Sequence, residues 1–487
     1  MSLDTRRAAL NGLKSLLEEG RSRICAASEK DLGKSHFEEY MTDTHPVLMN
    51  ISYALENLSS WTAGESIPTN LFNLPGSSYI SPEPLGVVVI IGPWNVNIFS
   101  TFGPLVGALA AGNVALVKPG DYAPETSKVM VELIEQYLDP RIVKGILGGP
   151  EITEAILDIH WDLLFFTGST NIGQIIYEKA AKTLTPVVLE LGGKSPCVVD
   201  MSVRGQLDIV AKRIVWGGML NCGQICIRPD YILVEKGLGD DLVKKVVEVM
   251  KQFYTEDAKN SPWFGRIVND RHFKRIAGLI ADAKDSVQYG GLDLDSSSKY
   301  IPPTVINFGT DLVTMAKSKI LGEEVFGPVL VIGEYTDLEQ ALSFIRARPK
   351  PLSSYIFSNN SSAIKAFQSG VLAGGLVVND TIVQNSNICL PFGGVGMSGF
   401  GGRFQGKAGF QCFSNMKPVL KRSLSLDIPL RYPPYTQRTR AILTILLNPK
   451  LNSWLEWIKG LLTLRNTFDF LLISTLITLA VLFGTRT

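Results

Sequence analysis

The chain has 487 residues, with 47 Lys and Arg against 46 Asp and Glu, a formal net charge of +1, and a composition that is 45% hydrophobic and 19% charged. That length allows two or three domains with large cores, the composition excludes a disordered chain, and the balanced charge gives no electrostatic reason to expect nucleic acid as a partner. The six cysteines are scattered, with only Cys222 and Cys226 close together, which excludes a disulfide framework, and the lone histidines His36, His45, His160 and His272 lack metal-ligand spacing, so no metal is expected.

The first twenty residues have no apolar signal-peptide core and read as an amphipathic helix. From Leu85 onward, short β-branched runs alternate with helical stretches. LGVVVIIG (85–92) is a strand too apolar for a half-exposed sheet, and the helix after it closes on Gly112, a C-cap signal. VALVKPG (114–120) is a second strand, followed by a helix near Glu125–Leu138. VKGILGG, a helix from Glu151, LLFF (163–166), a helix from Asn171 and PVVLEL (186–191) continue the pattern. Runs buried on both faces and alternating with helices predict a doubly wound parallel sheet, which binds ligands at the carboxyl ends of its strands. The alternation resumes with SPCVVD, a helix to about Trp216, YILVEK (231–236), a helix through Met250 and a later strand LVVND (376–380). The boundary between the two α/β halves falls near Gly192–Gly193.

From about Arg431 the composition changes. Phe470–Phe483 is an uncharged run of fourteen residues, and as a helix it extends about 21 Å, short of the roughly 30 Å hydrocarbon core. Its place near the C-terminus, with Lys450, Lys459 and Arg465 before it and Arg486 after it, predicts a tail anchor with a cytoplasmic body. The alternative is an interfacial helix lying in the membrane surface.

Several strand ends carry chemistry. KPGD sets Lys118 and Asp121 after one strand. FFTGSTNIG sets Gly168 and Ser169 where another strand turns into a helix, with Gly173 in the first helical turn. Free N–H groups and the macrodipole make that helix start a pyrophosphate site, and a lysine and an acid on the adjacent strand end are expected to reach ribose hydroxyls. The spacing is not GxGxxG, and strand–glycine–helix turns are more often simple packing. LELGGKSP places Glu190 at the end of an apolar strand, where a carboxylate is costly unless paired or useful. NCGQICIRPD holds Cys226 among small and polar residues; a lone cysteine is more often a buried small hydrophobe than a nucleophile.

PWN (93–95), KPGD (118–121), FTGST (166–170), LELGGKSP (189–196), NCGQIC (221–226), EEVFGPV (323–329) and LPFGGVGMSG (390–399) occur in one order, and that series resembles the aldehyde dehydrogenase superfamily. With SPCVVD, RYPP (431–434) and the apolar tail, the chain is most similar to its membrane-bound fatty aldehyde dehydrogenase branch, over roughly residues 10 to 435. The resemblance implies an NAD-binding domain over 1–190, a catalytic domain over 191–398, a bridging and oligomerisation segment over 399–432, and a gating helix with membrane tail over 433–487. It implies Cys226 as nucleophile, Asn95 with the Cys226 N–H as oxyanion hole, and Glu190 as the base that activates the hydrolytic water. Lys118 and Glu324 would hold ribose hydroxyls, Ser169 with Gly168 and Gly173 the pyrophosphate, and Phe326 would pack near the nicotinamide; Cys222 would be a packed neighbour. The implied protein is a homodimer at the endoplasmic reticulum membrane that oxidises long-chain apolar aldehydes with NAD.

Departures from the family pattern bear on specificity. Asp121 stands where Glu is common, a shorter carboxylate that still disfavours a 2′-phosphate. GGRFQGKAGF (401–410) replaces the histidine-bearing GAYHGKHSF pattern, and PWNVNIFS replaces PWNYP. By the resemblance, the segment Trp454–Leu464 is the expected helix over the substrate tunnel; the alternative is an interfacial anchor helix with no contact to the tunnel. The alternatives are the same chemistry on aromatic or apocarotenoid aldehydes, transfer of the thioester to coenzyme A, which a hydrolytic Glu190 opposes, and a catalytically silent membrane scaffold, which the presence of Cys226, Glu190 and Asn95 together opposes.

Overall fold

The computed structural model describes residues 1–424, 427 and 429–447. The apolar tail at 470–483 and the segment Trp454–Leu464, with the anchor and the tunnel cover expected of them, lie outside the described residues. Among the described residues, no helix is long and apolar enough to cross a membrane. By its internal contacts the chain divides into one unit of residues 1–59 and 84–414, and a second of residues 60–83 and the described residues from 415.

Strands β1 (Glu65–Ile67) and β2 (Ser77–Pro84) belong to the smaller unit, where they form a three-stranded sheet in the order β1, β2 and the strand Ser414–Lys421, the last among the described residues.

The larger unit opens with the expected helix, Leu3–Glu19, whose Ser2 cap accepts the Thr5 N–H at 3.2 Å and whose Leu10, Leu13, Leu16 and Leu17 are buried. Its first sheet uses β3 (Val87–Ile91), β4 (Val114–Lys118), β5 (Val143–Gly145), β6 (Leu163–Gly168) and β7 (Val187–Leu191). These strands are the apolar runs read from the sequence, and the sheet is parallel across all five. The helix Asn97–Ala111 follows β3 with every residue buried and ends at Gly112, whose φ of 96° needs the missing Cβ.

After Gly192–Gly193 the chain enters a second sheet. It uses β8 (Pro196–Val199), β9 (Tyr231–Glu235), β10 (Val287–Tyr289), β11 (Thr304–Asn307), β12 (Val329–Tyr335), β13 (Ser353–Phe357) and β14 (Gly375–Val378), in the order β10-β11-β12-β9-β8-β13-β14. Only β10 runs antiparallel. The short β15 (Gly399–Phe400) returns to the first sheet and pairs antiparallel with β7, giving the order β15-β7-β6-β3-β4-β5 and placing Gly399 opposite Glu190.

That order corrects one expectation. The KPGD strand β4 is not adjacent to the FFTG strand β6: β3 lies between them and pairs with both. Two crossovers leave β3 in the middle, so the PWN turn that follows it sits between the Lys118 turn and the Ser169 turn.

Candidate active site

A cavity of 1430 Å³ opens in the larger unit, at the carboxyl ends of β3, β4, β6 and β7 and against the loops that lead into β9 and β12. Asn95, Lys118, Asp121, Gly168, Ser169, Glu190, Cys226, Glu324 and Phe326 all line it. Gly173 does not. It is buried in the first turn of helix Thr170–Lys182, where an added Cβ would lie 2.6 Å from Leu191 Cδ2, so its role here is close helix–strand packing.

The loop bearing Cys226 has an unusual backbone. Asn221, Cys222 and Gly223 take φ of 51°, 53° and 71°, three consecutive left-handed residues, two of them carrying a Cβ. Such conformations persist only where the surroundings impose them. The Asn221 N–H donates to Glu38 Oε1 at 2.5 Å, and Gln224 Nε2 donates to the carbonyls of Asn221 (3.1 Å) and Arg266 (3.0 Å). Gly223 could carry nothing larger, since its Cβ would lie 2.2 Å from the Gly327 carbonyl oxygen. The turn sends Cys222 into the hydrophobic core and leaves Cys226 partly open to the cavity. Burial pushes the Cys226 thiol up, helped by the Glu324 and Glu190 carboxylates and opposed by the N–H groups of Cys226 and Ile227.

Asn95 is tied to this loop at both ends. Its Nδ2 donates to the Gln224 carbonyl at 2.9 Å, and its own carbonyl accepts from Asn221 Nδ2 at 2.9 Å. An amide carries two hydrogens, so one remains for the cavity.

Glu190 is 2% exposed on β7, and neither carboxylate oxygen has a hydrogen-bond partner among the described residues. Burial holds its carboxyl well above the ordinary range, opposed by the Arg403 charge and by the Gly394 N–H, which approaches it without completing a well-formed hydrogen bond. A buried acid with free oxygens at a cavity wall is poised to take a proton.

Glu324 is pushed up to about 8, first by burial and then by Asp230, with Lys194, Arg228 and Arg275 opposing. An ionic network, buried at Asp230 and open to solvent at Glu323, fixes its loop. Arg275 donates to Glu323 Oε2 (3.1 Å) and to the carbonyls of Glu324 (3.0 Å) and Val325 (2.8 Å), while the Val325 N–H donates to Asp230 Oδ1 at 2.9 Å. Lys194 pairs with Asp230 and donates to the Glu323 carbonyl at 2.8 Å. Gly192 lets the loop approach, because a Cβ there would fall 2.1 Å from Glu324 Oε2. Phe326, at φ 48°, meets Trp94 edge-on with ring centroids 5.5 Å apart.

Lys118 is 2% exposed and pairs with Asp121 Oδ1 at 2.5 Å. Ser169 caps helix Thr170–Lys182 by accepting the Ile172 N–H at 3.5 Å, leaving that helix's free N–H groups beside the cavity.

Sequence reasoning passed over several groups at or behind the cavity wall, of which Lys194 and His272 line it. Lys194 and Asp230 stand inside quoted motifs yet gave no separate signal. His272 looked like a lone histidine; its ring lies 5.2 Å from Trp94 and 6.0 Å from Tyr122, and burial, with Arg275 and Arg271, pushes it down to about 4, so it is neutral at physiological pH. Arg403, inside the stretch 401–410, donates to the carbonyls of Gly374 (2.9 Å) and Gly393 (2.7 Å) next to Glu190.

A family model described as Aldehyde dehydrogenase family matches residues 1–419. The chain is 43% identical over 430 residues to Aldehyde dehydrogenase family 3 member A2 of Pongo abelii, an alignment that covers 88% of this chain and 86% of that protein. It is 38% identical over 437 residues to 4,4'-diaponeurosporen-aldehyde dehydrogenase of Staphylococcus aureus, covering 90% and 93%. Among solved structures, one described as "Substrate bound state of Staphylococcus Aureus AldH" superposes with a TM-score of 0.87 at 37% identity, covering 91% of this chain and 95% of that one. An "NAD+ complex structure of aldehyde dehydrogenase from bacillus cereus" gives 0.77 at 26% identity, covering 87% and 84%.

Proposed function

The chain belongs to the aldehyde dehydrogenase family, and from that premise we propose that it oxidises long-chain aliphatic aldehydes to carboxylic acids with NAD, through a thioester on Cys226. The observation that carries the reading is the convergence of Cys226, Glu190 and Asn95 with Lys118, Ser169 and Glu324 on one cavity.

The residues suit a dinucleotide. Glu324 Oε1 is buried without a hydrogen-bond partner among the described residues, and the start of helix Thr170–Lys182 offers free N–H groups. Lys118 and Glu324 would hold ribose hydroxyls, Gly168, Ser169 and the helix start the pyrophosphate, with Gly173 letting that helix pack close, and Phe326 would border the nicotinamide. Asp121 would disfavour a 2′-phosphate by charge. When bound, NAD supplies the acceptor for the hydride that leaves the substrate carbon.

Cys226 would attack the carbonyl carbon, its thiol proton leaving to cavity water as the C–S bond forms. The Asn95 amide and the Cys226 N–H would stabilise the oxyanion, a donor typically contributing about 3 kcal/mol to the transition state. Loss of hydride leaves the thioester. Glu190 would then take a proton from water, hydroxide would add to the acyl carbon, and the C–S bond would break to release the acid.

An apolar side of the cavity, with Met41, Phe99, Trp216, Ile382 and Phe404, supports a long hydrocarbon substrate. Burial contributes about 0.8 kcal/mol per CH₂, and a bilayer gathers such substrates by the same effect. We read the apolar tail as the membrane anchor, at the endoplasmic reticulum, of a homodimer, and Trp454–Leu464 as the helix over the tunnel mouth. A second reading, the same chemistry on an apocarotenoid aldehyde, is favoured by the similarity to the staphylococcal diaponeurosporen-aldehyde enzyme. NADH formation by the full chain in detergent, across aldehydes from acetaldehyde to octadecanal and an apocarotenoid aldehyde, tests both. Turnover rising with aliphatic length and lost in Cys226→Ala supports the first; preference for the polyene replaces it with the second.

A further inference from the structure

Between helix Arg21–Leu32 and helix His45–Thr62 the chain makes a short helix, His36–Glu39, that passes into a π-helical turn, Tyr40–Thr44. Single π turns recur at functional sites because they re-aim side chains. Here the segment carries one lysine and three carboxylic acids. Lys34, Glu39 and Asp43 are each at most 2% exposed, and Glu38 is partly buried. Lys34 Nζ donates to Glu39 Oε2 at 3.0 Å and to Asp43 Oδ2 at 3.4 Å, and Ser28 and Thr44 hydroxyls donate to Glu39 at 2.9 and 3.3 Å.

Two carboxylates reach out of this cluster to main-chain N–H groups. Glu38 Oε1 accepts from Asn221 at 2.5 Å, at the first left-handed residue of the loop bearing Cys226. Asp43 Oδ1 accepts from Phe99 at 2.5 Å, in the first turn of the helix that follows Asn95. Between those two points the segment's own Met41 and Thr42 line the cavity. Burying a cation with three acids is costly unless each member is paired, and this set spends two of its acceptors on the turns beside the nucleophile and the oxyanion donor.

We propose that this buried cluster is a positioning bracket, in which Glu38 and Asp43, compensated by Lys34, hold the Asn221 turn and the Asn95 turn at a fixed separation across Cys226. The proposal rests on the reading of Cys226 as nucleophile and adds to it residues that never touch substrate. The reach of each accepting oxygen, not its charge, sets where the main-chain N–H it holds can sit. Misplacing a reacting atom by about 1 Å costs on the order of 100-fold in rate, so the bracket's failure would appear in the chemical step.

The test compares two conservative changes at one atom. Glu38→Gln keeps the reach of the accepting oxygen and removes the charge; Glu38→Asp keeps the charge and withdraws the oxygen. The readouts are the pre-steady-state burst of NADH, the affinity for NAD and the melting temperature, with Cys226→Ala run beside them. The bracket requires a burst within about threefold of wild type in Glu38→Gln and a loss of about 10-fold to 100-fold in Glu38→Asp, with NAD affinity unchanged in both. Bursts at the wild-type rate in both variants, whatever their melting temperatures, overturn it as a purely structural cluster. A loss in Glu38→Gln equal to or greater than that in Glu38→Asp overturns it in favour of a charge effect. If Glu38→Asp does not accumulate as folded protein, Asp43→Asn against Asp43→Ala asks the same question of the other arm: the bracket requires a burst kept in the first and lost in the second, and equal bursts overturn it. A burst retained in Cys226→Ala would remove the reading of the nucleophile instead and is distinguishable from all of these.

Discussion

Replacing Glu190 by glutamine should separate the two halves of the proposed reaction. The side chain keeps its volume and loses its base. Glu190 is 2% exposed, its oxygens have no hydrogen-bond partner among the described residues, and burial holds its carboxyl high, so the group sits ready to accept a proton and contributes little to the fold. General base catalysis contributes about 10²-fold to 10⁴-fold, and at about 1.4 kcal/mol per decade that is about 3 to 5.5 kcal/mol on thioester hydrolysis. Hydride transfer does not use Glu190 in this scheme. Stopped-flow measurement should therefore show a burst of about one NADH per active site followed by a steady state slowed by that factor, and mass spectrometry should find the acyl group on Cys226. The sign of the stability effect is also fixed. A carboxyl whose folded pKa lies above its unfolded value contributes stability that is complete below the unfolded pKa and is lost as pH rises through the folded one. Glu190→Gln removes that loss, so its melting temperature should gain on wild type as pH rises. Turnover within about threefold of wild type, or a burst lost together with the steady state, would refute the assignment of the hydrolytic base.

The same linkage applies to Glu324, raised to about 8: wild type should lose stability as pH rises from about 5 to 8, and Glu324→Gln should flatten that slope by on the order of 3 kcal/mol at most, read from urea melts across the window. Gly223→Ala places a Cβ 2.2 Å from the Gly327 carbonyl at a φ of 71°, and should cost about 2 to 4 kcal/mol in the same assay along with most of the burst. Lys34→Met leaves Glu39 and Asp43 buried without their cation, a loss of about 3 to 5 kcal/mol that denaturant unfolding would register. Removing residues from 450 onward should release the protein from membranes and alter its chain-length preference; a preference unchanged across the aldehyde series would leave Trp454–Leu464 no part in the tunnel.

How much of this was legible in the sequence follows from what each residue's neighbours reveal locally. The strands β3, β4, β6 and β7 are buried on both faces, so each announces itself as a continuous apolar run. Strand β13 begins with Ser353 and Ser354, which make no apolar run; both are buried because partners elsewhere in the chain satisfy them, Ser354 Oγ donating to the Gly375 carbonyl at 3.0 Å. Nothing near Ser353 in the sequence could disclose that partner. Glu190 was legible for the opposite reason, a carboxylate set in an apolar strand being a local anomaly. Cys226 was not separable by spacing from an ordinary buried cysteine, and only the order of seven motifs singled it out as the proposed nucleophile.

The positioning cluster shows where that order also stops. Lys34, Glu38, Glu39 and Asp43 lie in KSHFEEYMTD, a stretch that no motif covers. Its meaning depends on a hydrogen bond from Asn221, 183 residues away, to an oxygen of Glu38. Strand order has the same character. Sequence spacing placed the lysine turn beside the Ser169 turn, but two crossovers put β3 between them, and the turn after β3 brings Asn95 within 2.9 Å of the Gln224 carbonyl on the Cys226 loop. Local chemistry therefore names which side chains can react, while topology decides which of them meet. At this site the residues that enforce the meeting, Glu38, Asp43, Asp230 and Arg275, act through main-chain N–H and C=O groups that every residue possesses, and so leave no side-chain signature at the positions they hold.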